Sequence, residues 1–268
     1  MTILVTGAAG TLGRLVVDRL VHDGNTVRAF DNHEAGLAAL DGDSRVRLVY
    51  GDIRDAERVR MAMRGVTHVI HCAAIKNLVV SEKNPWEAIR TNIEGTYNVG
   101  FAALEAGVSS AIFISSDKAV APRNLYGATK LIGEQVWQWF AYIQEKSRFA
   151  VLRSGNFRFS QGSVREIWRW QHEQNVPLTV TDTRMVRYFI DADDVAGIAV
   201  EMLAEAQNGE IYIPAMEEES LMDLKKRLYP VDEIRLVGLR KGEKLEEQLE
   251  NAWEYLVRTN EKYRVMRP

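Results

Sequence analysis

Hydrophobic positions in the first half of the chain alternate between two patterns. Short β-branched or apolar runs at Ile3 to Thr6, Thr26 to Phe30, Val46 to Tyr50, His68 to Cys72, Ala111 to Ser115 and Phe149 to Leu152 predict strands. Stretches of helical spacing lie between them. Leu12, Leu15, Val16 and Leu20 share one face, and Gly24 stops that helix. Asn84 as N-cap and Pro85 in the first turn open another helix. Its stripe of Ile89, Ile93, Tyr97, Phe101 and Leu104 ends at Gly107. Strand–helix alternation of this kind predicts an α/β fold built on a Rossmann-type doubly wound parallel sheet. After about Gly155 the regularity weakens into a Trp-rich helical stretch, a strand Leu178 to Val180, a helix over Asp191 to Ala206 and a strand Ile211 to Ile213. We therefore expect a Rossmann core over residues 1–155, to which later segments return, and a small C-terminal α/β lobe made mainly from residues 156–268.

At 268 residues, with 46% hydrophobic and 26% charged positions, the chain can bury one large core and needs no disulfide staple. Lys and Arg number 34 against 37 Asp and Glu, so no polybasic footprint points to nucleic acid. The local exception, Arg165 to Arg169 with Trp168 and Trp170, reads as an amphipathic helix whose arginine stems cover aromatics. The lone Cys72 suits a reducing compartment. The first apolar run follows no basic stretch and is too short for a signal peptide or membrane span. A cytoplasmic protein with no membrane partner is expected. His68, His71 and Cys72 crowd one strand, but alternate residues face opposite sides and no further His/Cys pair stands at ligand spacing, so no metal is expected.

Chemistry begins where the first strand runs into Gly7, Ala9, Gly10, Thr11, Leu12 and Gly13. Glycines permit a tight turn and close backbone approach, and the N–H groups of the helix that follows can receive a pyrophosphate. This makes the core a dinucleotide-binding unit. Asp31, followed by Asn32, ends the second strand about 20 residues on, where a carboxylate can accept hydrogen bonds from ribose hydroxyls. It would repel a 2'-phosphate, and no Lys or Arg immediately follows it, so NAD is expected over NADP. Asp52 could bond the adenine while Ile53 packs on its face, or Asp52 could be a plain turn residue.

Tyr126 and Lys130 stand four residues apart on one helical face. Lys130 and a bound nicotinamide cation would favour the Tyr126 phenolate, a usable base. The fifth strand ends just upstream in Ser115-Ser116-Asp117-Lys118, at the sheet edge where ligands bind. With these in register, the chain resembles the extended short-chain dehydrogenase/reductases. The stretch from Ser115 to Lys130 is similar to the inverting UDP-N-acetylglucosamine 4,6-dehydratases. So are Arg153-Ser154-Gly155-Asn156, Gln161-Gly162-Ser163-Val164, Thr181 to Phe189 and Gly242-Glu243-Lys244-Leu245. Three departures stand out: Ser116 replaces the usual threonine, Asp31-Asn32 lacks the basic residue of NADP-using relatives, and Gly155 to Ser160 is bulkier than the family's small-residue pattern.

The resemblance implies an order of chemistry. Tyr126 takes the C4 hydroxyl proton as hydride passes to the cofactor, Lys118 removes the C5 proton, Asp117 donates to the leaving C6 hydroxyl, and hydride returns to C6. Retaining relatives carry glutamate in place of Lys118, so lysine implies inversion at C5. Ala73, Ala74 and Lys76 are cofactor candidates. Lys76, Asn156, Ser163, Arg184, Arg187 and Glu243 are candidates for the UDP-sugar, the arginines because fork-shaped guanidinium suits phosphate. A 4-epimerase would use Ser116, Tyr126 and Lys130 without needing Asp117 and Lys118, and a non-catalytic dinucleotide sensor would need only the glycine turn. A homo-oligomer is expected through the helices beginning near Pro85 and Tyr126, where Trp137 and Phe140 exceed one core-facing stripe.

Overall fold

In the computed structural model, which describes all residues except Glu145, each expected strand forms within two residues of its predicted bounds. In chain order the first half runs β1 (Thr2–Thr6), α1 (Thr11–His22), β2 (Thr26–Asp31), α2 (Glu34–Ala38), β3 (Val46–Tyr50), α3 (Ala56–Met63), β4 (His68–His71), α4 (Leu78–Lys83), α5 (Pro85–Ile89), α6 (Gly95–Ala106), β5 (Ser110–Ser116), α7 (Leu125–Ile143) and β6 (Arg148–Ser154). It continues with β7 (Asn156–Phe157), α8 (Val164–Glu173), β8 (Leu178–Val180), β9 (Val186–Ile190), α9 (Ala192–Glu205), β10 (Ile211–Pro214), β11 (Glu217–Ser220), α10 (Leu221–Leu228), β12 (Ile234–Leu236), β13 (Tyr255–Thr259) and β14 (Tyr263–Arg267).

Among the described residues, nine strands form one sheet in the order β13-β14-β10-β6-β5-β4-β1-β2-β3. From β10 through β3 the pairings are parallel; β14 and β13 close the edge antiparallel. Helices cover both faces, which is why the strands read as continuous apolar runs. On one face Val16 and Leu20 of α1 meet Ala196, Ala199 and Met202 of α9. On the other, Val59, Val99, Ala103, Trp137 and Phe140 pack from α3, α6 and α7. Strand order reverses between β1 and β4, and a crevice opens there beyond the strand ends. Two smaller sheets, β11-β9-β7 and β12-β8, form a lobe around Trp168, Leu178, Val180, Met185, Phe189 and Leu224. Arg165 stacks its guanidinium over Phe159 at 5.2 Å. No helix among the described residues is long and apolar enough to cross a membrane.

Two sequence expectations need correction. The helix opened by Pro85 is not one continuous α-helix: Arg90–Glu94 forms a π-helical turn between α5 and α6. Asn84 occupies the cap position, but its side chain donates to the Val80 carbonyl at 3.0 Å instead of capping. The buried face consists of Ala88, Asn92, Gly95, Thr96, Val99, Gly100, Ala102 and Ala103, while Ile89, Ile93, Phe101 and Leu104 are half-buried and Tyr97 is exposed. Small residues win the inner face because α6 lies close against α7; a Cβ on Gly100 would overlap the Phe140 ring. Second, Trp137 and Phe140 are core residues, not surplus aromatics. The Trp137 indole donates to the Ala111 carbonyl at 3.1 Å, and Phe140 stacks on Phe149 at 5.3 Å. The aromatics left exposed on α6 and α7 are Tyr97, Trp139 and Tyr142.

Arg153 on β6 is fully buried and ion-paired with Glu134 of α7 at 2.6 Å and with Glu254, just before β13, at 2.7 Å. It also donates to the Leu249 carbonyl at 2.8 Å. Burial opposes charge on Glu254, but its hydrogen bonds from Arg153 prevail and keep its carboxyl below the usual range. A depressed carboxyl contributes stability above its unfolded-state pKa and loses it as pH falls through the folded value. Replacing Glu254 by alanine should therefore cost about 3 kcal/mol at neutral pH in urea unfolding, because half the neutralisation of a buried guanidinium is lost. The gap from wild type should narrow as pH is lowered below about 4. A loss under about 0.5 kcal/mol would show that the clamp contributes little.

Candidate active site

The crevice is a cleft of about 1270 Å³ running from the glycine turn to the small lobe. Gly7 has φ +70°, and a Cβ there would lie 2.6 Å from the Ala73 nitrogen, so only glycine lets this turn press against the chain leaving β4. Gly10 is the N-cap of α1, with no capping side chain and no acid in the first turn. The first-turn N–H groups are thus left for an anion, and Gly7, Ala9, Gly10, Thr11, Leu12 and Gly13 all line the cleft. The turn fits a dinucleotide pyrophosphate.

Asp31 ties β2 to this turn, accepting from the Ala9 and His33 N–H groups at 2.9 Å each. Asp52 is already engaged: Arg54 donates to it from Nε at 3.0 Å and Nη2 at 2.6 Å, and Asn32 donates at 3.2 Å. The Arg54 hydrogen bonds hold the Asp52 carboxyl below its ordinary range. Arg54 also pairs with Glu87. Sequence adjacency showed no cation beside Asp31, yet the fold brings this one to the cleft from the loop after β3, with two carboxylates on it. Ile53 is buried beside the cleft. Ala73, Ala74 and Lys76 line the cleft after β4, and partial burial pushes the Lys76 ammonium down from its usual value.

Asn92, in the π-helical turn, was not singled out in the sequence. Its amide accepts from the Ile75 N–H at 2.8 Å and donates to the Ile75 carbonyl at 2.9 Å and the Thr129 hydroxyl at 3.0 Å. It therefore locks the Ala73–Lys76 wall to α7. The signal would have been a polar residue inside an otherwise small, apolar helical face. His71 bridges Thr6 at 2.6 Å and Thr96 at 3.0 Å, and burial pushes it down to about 3, so it is a neutral core residue. Burial pushes the Cys72 thiol up to about 12.

Asn124 caps α7 by accepting from Gly127 N–H at 2.8 Å, which fixes Tyr126 in the first turn. Burial and the Asp117 carboxylate raise the Tyr126 phenol above its ordinary value, against a hydrogen bond with Ser116 that lowers it. Lys130 donates to the Ile114 carbonyl at 2.7 Å and lies 4.5 Å over the Phe113 ring; burial pushes it down to about 8. The expected phenolate at Tyr126 rests on Lys130 together with a bound nicotinamide cation, and in the protein without that cation burial and Asp117 favour the phenol.

Ser116 donates to Asp117 Oδ1 at 2.8 Å, and Asp117 Oδ2 is buried without a partner. Lys118 Nζ donates to Asp117 Oδ1 at 3.1 Å and Asn156 Oδ1 at 3.2 Å. Ser116, Lys118, Asn156, Tyr126 and Lys130 line the cleft, whereas Asp117 is fully buried and does not. Ser163, the N-cap of α8, and Glu243 also line the cleft. Arg187 reaches the cleft too, though its guanidinium donates to the carbonyls of Val186, Lys244 and Leu245. Arg184 does not arrive: it is 70% exposed and held by Asp182, two residues away, at 2.8 Å. A local carboxylate captures it and turns it to solvent.

The family described as polysaccharide biosynthesis protein matches residues 3–267. The chain is 36% identical over 253 residues to the UDP-N-acetylglucosamine 4,6-dehydratase (inverting) of Campylobacter jejuni, spanning 91% of this chain and 76% of that one. To the UDP-glucose 4-epimerase of Rickettsia bellii it is 31% identical over 267 residues, 94% of this chain and 78% of that one. Among solved structures it resembles the dTDP-glucose 4,6-dehydratase DesIV of Streptomyces venezuelae with NAD and TYD bound, with a TM-score of 0.84, 26% identity, and coverage of 93% of this chain and 88% of that one.

Proposed function

The chain belongs to the polysaccharide biosynthesis protein family of extended short-chain dehydrogenase/reductases, and from that premise we propose that it is a nucleotide-sugar 4,6-dehydratase. The substrate is UDP-N-acetylglucosamine or a close analogue, and C5 is inverted. One observation carries this reading: Lys118 lines the cleft with Tyr126, and the fully buried Asp117 accepts a hydrogen bond from it. A 4-epimerase has no step for that pair. The similarity to an epimerase keeps the second reading alive, because Ser116, Tyr126 and Lys130 would serve both.

When bound, NAD supplies the hydride acceptor for C4 and the donor for C6, together with a positive nicotinamide ring. Tyr126, with Ser116 and Lys130 fixing its surroundings, takes the C4 hydroxyl proton once that positive charge offsets burial and Asp117. Lys118 takes the proton at C5, which the new C4 carbonyl has made acidic. Asp117 delivers a proton to the departing C6 hydroxyl, and its unpartnered Oδ2 is the oxygen that can carry it. Asn156 holds Lys118 in place. Arg187, Lys76, Ser163 and Glu243 are assigned to the UDP-sugar. The lone Cys72, which has no second cysteine to pair with, suits a reducing cytoplasm.

The exposed Tyr97, Trp139 and Tyr142 beside α6 and α7 are assigned to a homo-oligomer interface. Light scattering at micromolar concentration should give at least a dimer, and Trp139→Glu should shift it to monomer. A monomeric wild type removes the interface from the proposal.

Incubation with NAD and UDP-N-acetylglucosamine should give a product lighter by one water, the 4-keto-6-deoxy sugar. Lys118→Met should still reduce NAD with substrate, yet lose product and C5 deuterium uptake by about a hundredfold, the usual scale for a general base. A C4 epimer without loss of water establishes the epimerase reading instead.

Asp31 at the ribose, with Arg54 occupied by Asp52 and Glu87, should make NAD bind at least about tenfold more tightly than NADP, or ~1.4 kcal/mol. Calorimetric titration measures both, and equal affinities refute the preference.

A further inference from the structure

The helix that carries Tyr126 and Lys130 is held at its first turn by a side chain from another element. The opening N–H groups of a helix have no partner within it. In α7 two of them are met by side chains: Asn124 accepts from the Gly127 N–H at 2.8 Å, and Glu82 of α4 accepts from the Leu125 N–H through Oε1 at 2.8 Å. Asn124 is the cap itself. Glu82 lies 43 residues before Leu125, so its bond joins two elements whose separation no local rule sets.

Further contacts fix the same turn. The Tyr126 carbonyl accepts from the Thr129 hydroxyl at 2.8 Å, and that hydroxyl accepts from Asn92 at 3.0 Å. The Asn124 amide donates to the Gly242 carbonyl at 3.0 Å. A Cβ on Gly127 would overlap the Lys118 carbonyl oxygen, so the turn presses directly on the chain leaving β5. Among the described residues, Glu82 is the one side chain from outside α7 and its cap that bonds the backbone of this turn. It is exposed, so its replacement opens no cavity in the core.

The place of α4 gives that bond a consequence. Its cap Asn77 and its first turn, Leu78, Val79 and Val80, line the cleft, as Tyr126 does. α4 is thus one wall of the reaction site, and Glu82 ties that wall to the turn bearing the phenol. A base works only within hydrogen-bond reach of the proton it takes. A misplacement of about 1 Å is enough to cost about a hundredfold in rate.

Resting on the reading of Tyr126 as the base for the C4 hydroxyl, we propose that Glu82 is a positioning residue for C4 oxidation: by accepting from the Leu125 N–H it sets the distance between Tyr126 and the cleft wall formed by α4. Glu82 takes no part in proton or hydride transfer. The role needs an acceptor oxygen at this place and no charge, so glutamine can fill it and alanine cannot.

Turnover of UDP-N-acetylglucosamine, taken per NAD-occupied site so that any loss of folded protein cancels, is the measurement. Glu82→Ala should lower this rate at least about tenfold, while KM for the sugar nucleotide and Kd for NAD stay within about twofold. Glu82→Gln should remain within about threefold of wild type. Deuterium at C4 of the substrate locates the slowed step: its isotope effect on turnover should be at least as large in Glu82→Ala as in wild type, because hydride removal is what positioning serves. A cap that only stabilises would lower the unfolding midpoint and leave the rate per occupied site unchanged, and that result overturns the proposal. So does a glutamine variant as slow as the alanine one, or a smaller isotope effect. Should Glu82→Ala bind no NAD, Glu82→Asp decides: its carboxyl is one methylene short of Leu125, a slowed C4 step supports the proposal, and a wild-type rate per site overturns it. A wild type that forms the C4 epimer without loss of water overturns the dehydratase reading alone, and the same comparison then runs on epimer formation. A wild type that does neither overturns that reading and this inference with it.

Discussion

The buried guanidinium of Arg153 is the constraint on which the rest of the structure leans. A charge removed from water survives only with partners, and here the partners come from two separate regions: Glu134 on α7 and Glu254 ahead of β13. Glu134 lies one turn beyond Lys130 on the buried side of α7 and is among the charges acting on it. Glu254, with the Leu249 carbonyl, pins the segment that also carries Lys244 and Glu247. One ion cluster thus holds the sheet, the helix bearing Tyr126 and Lys130, and the late segment that reaches Lys118 in mutual register. Position is what such a cluster contributes, since an apolar replacement could match its stability but would leave the late segment without a specific anchor.

A second constraint is close approach. α6 lies against α7 and the sheet through glycine, alanine and threonine, and the large side chains are displaced to its flanks. The π-helical turn at Arg90–Glu94 lies between α5 and α6 and turns Asn92 inward, where it fixes the wall after β4. Displacement of bulk to the outside leaves Tyr97 and Trp139 on the surface, stacked at 6.5 Å. The inner packing and the outward aromatic face are two results of the same spacing.

Electrostatics in the cleft follow from burial. The Tyr126 phenol is raised, Lys130 is pushed down to about 8, and Cys72 is pushed up to about 12, each shift favouring the neutral form of a group cut off from water. Acidic and basic side chains alternate in contact from Asp117 through Lys118 and Glu247 to Lys244. Along the cleft, ion pairs stand at Asp52, Arg54 and Glu87 and again where the late segment reaches Lys118.

Local sequence decided what local physics controls. Strands buried on both faces must be continuous apolar runs, so their positions and the parallel α/β class are legible in order and spacing alone. A glycine turn between a strand and a helix announces itself, because no other residue tolerates that backbone at that distance from β4. Tyr126 and Lys130 share a helical face by periodicity, and Ser116, Asp117 and Lys118 follow a strand end. Tertiary structure decided which groups meet from afar. Lys244 and the Val120 carbonyl lie 124 residues apart in the chain, and nothing in either neighbourhood encodes their contact. Residue type made Arg184 a phosphate candidate, but Asp182 two positions away holds it outside the cleft, while Arg54, separated in sequence from Asp31, is carried to the cleft by the pairing of β2 with β3. Hydrophobic count favoured an aromatic stripe on α6, but an inner face there is chosen by the distance to α7. Periodicity is a property of one segment; separation between segments is set only once the sheet and its helices have packed.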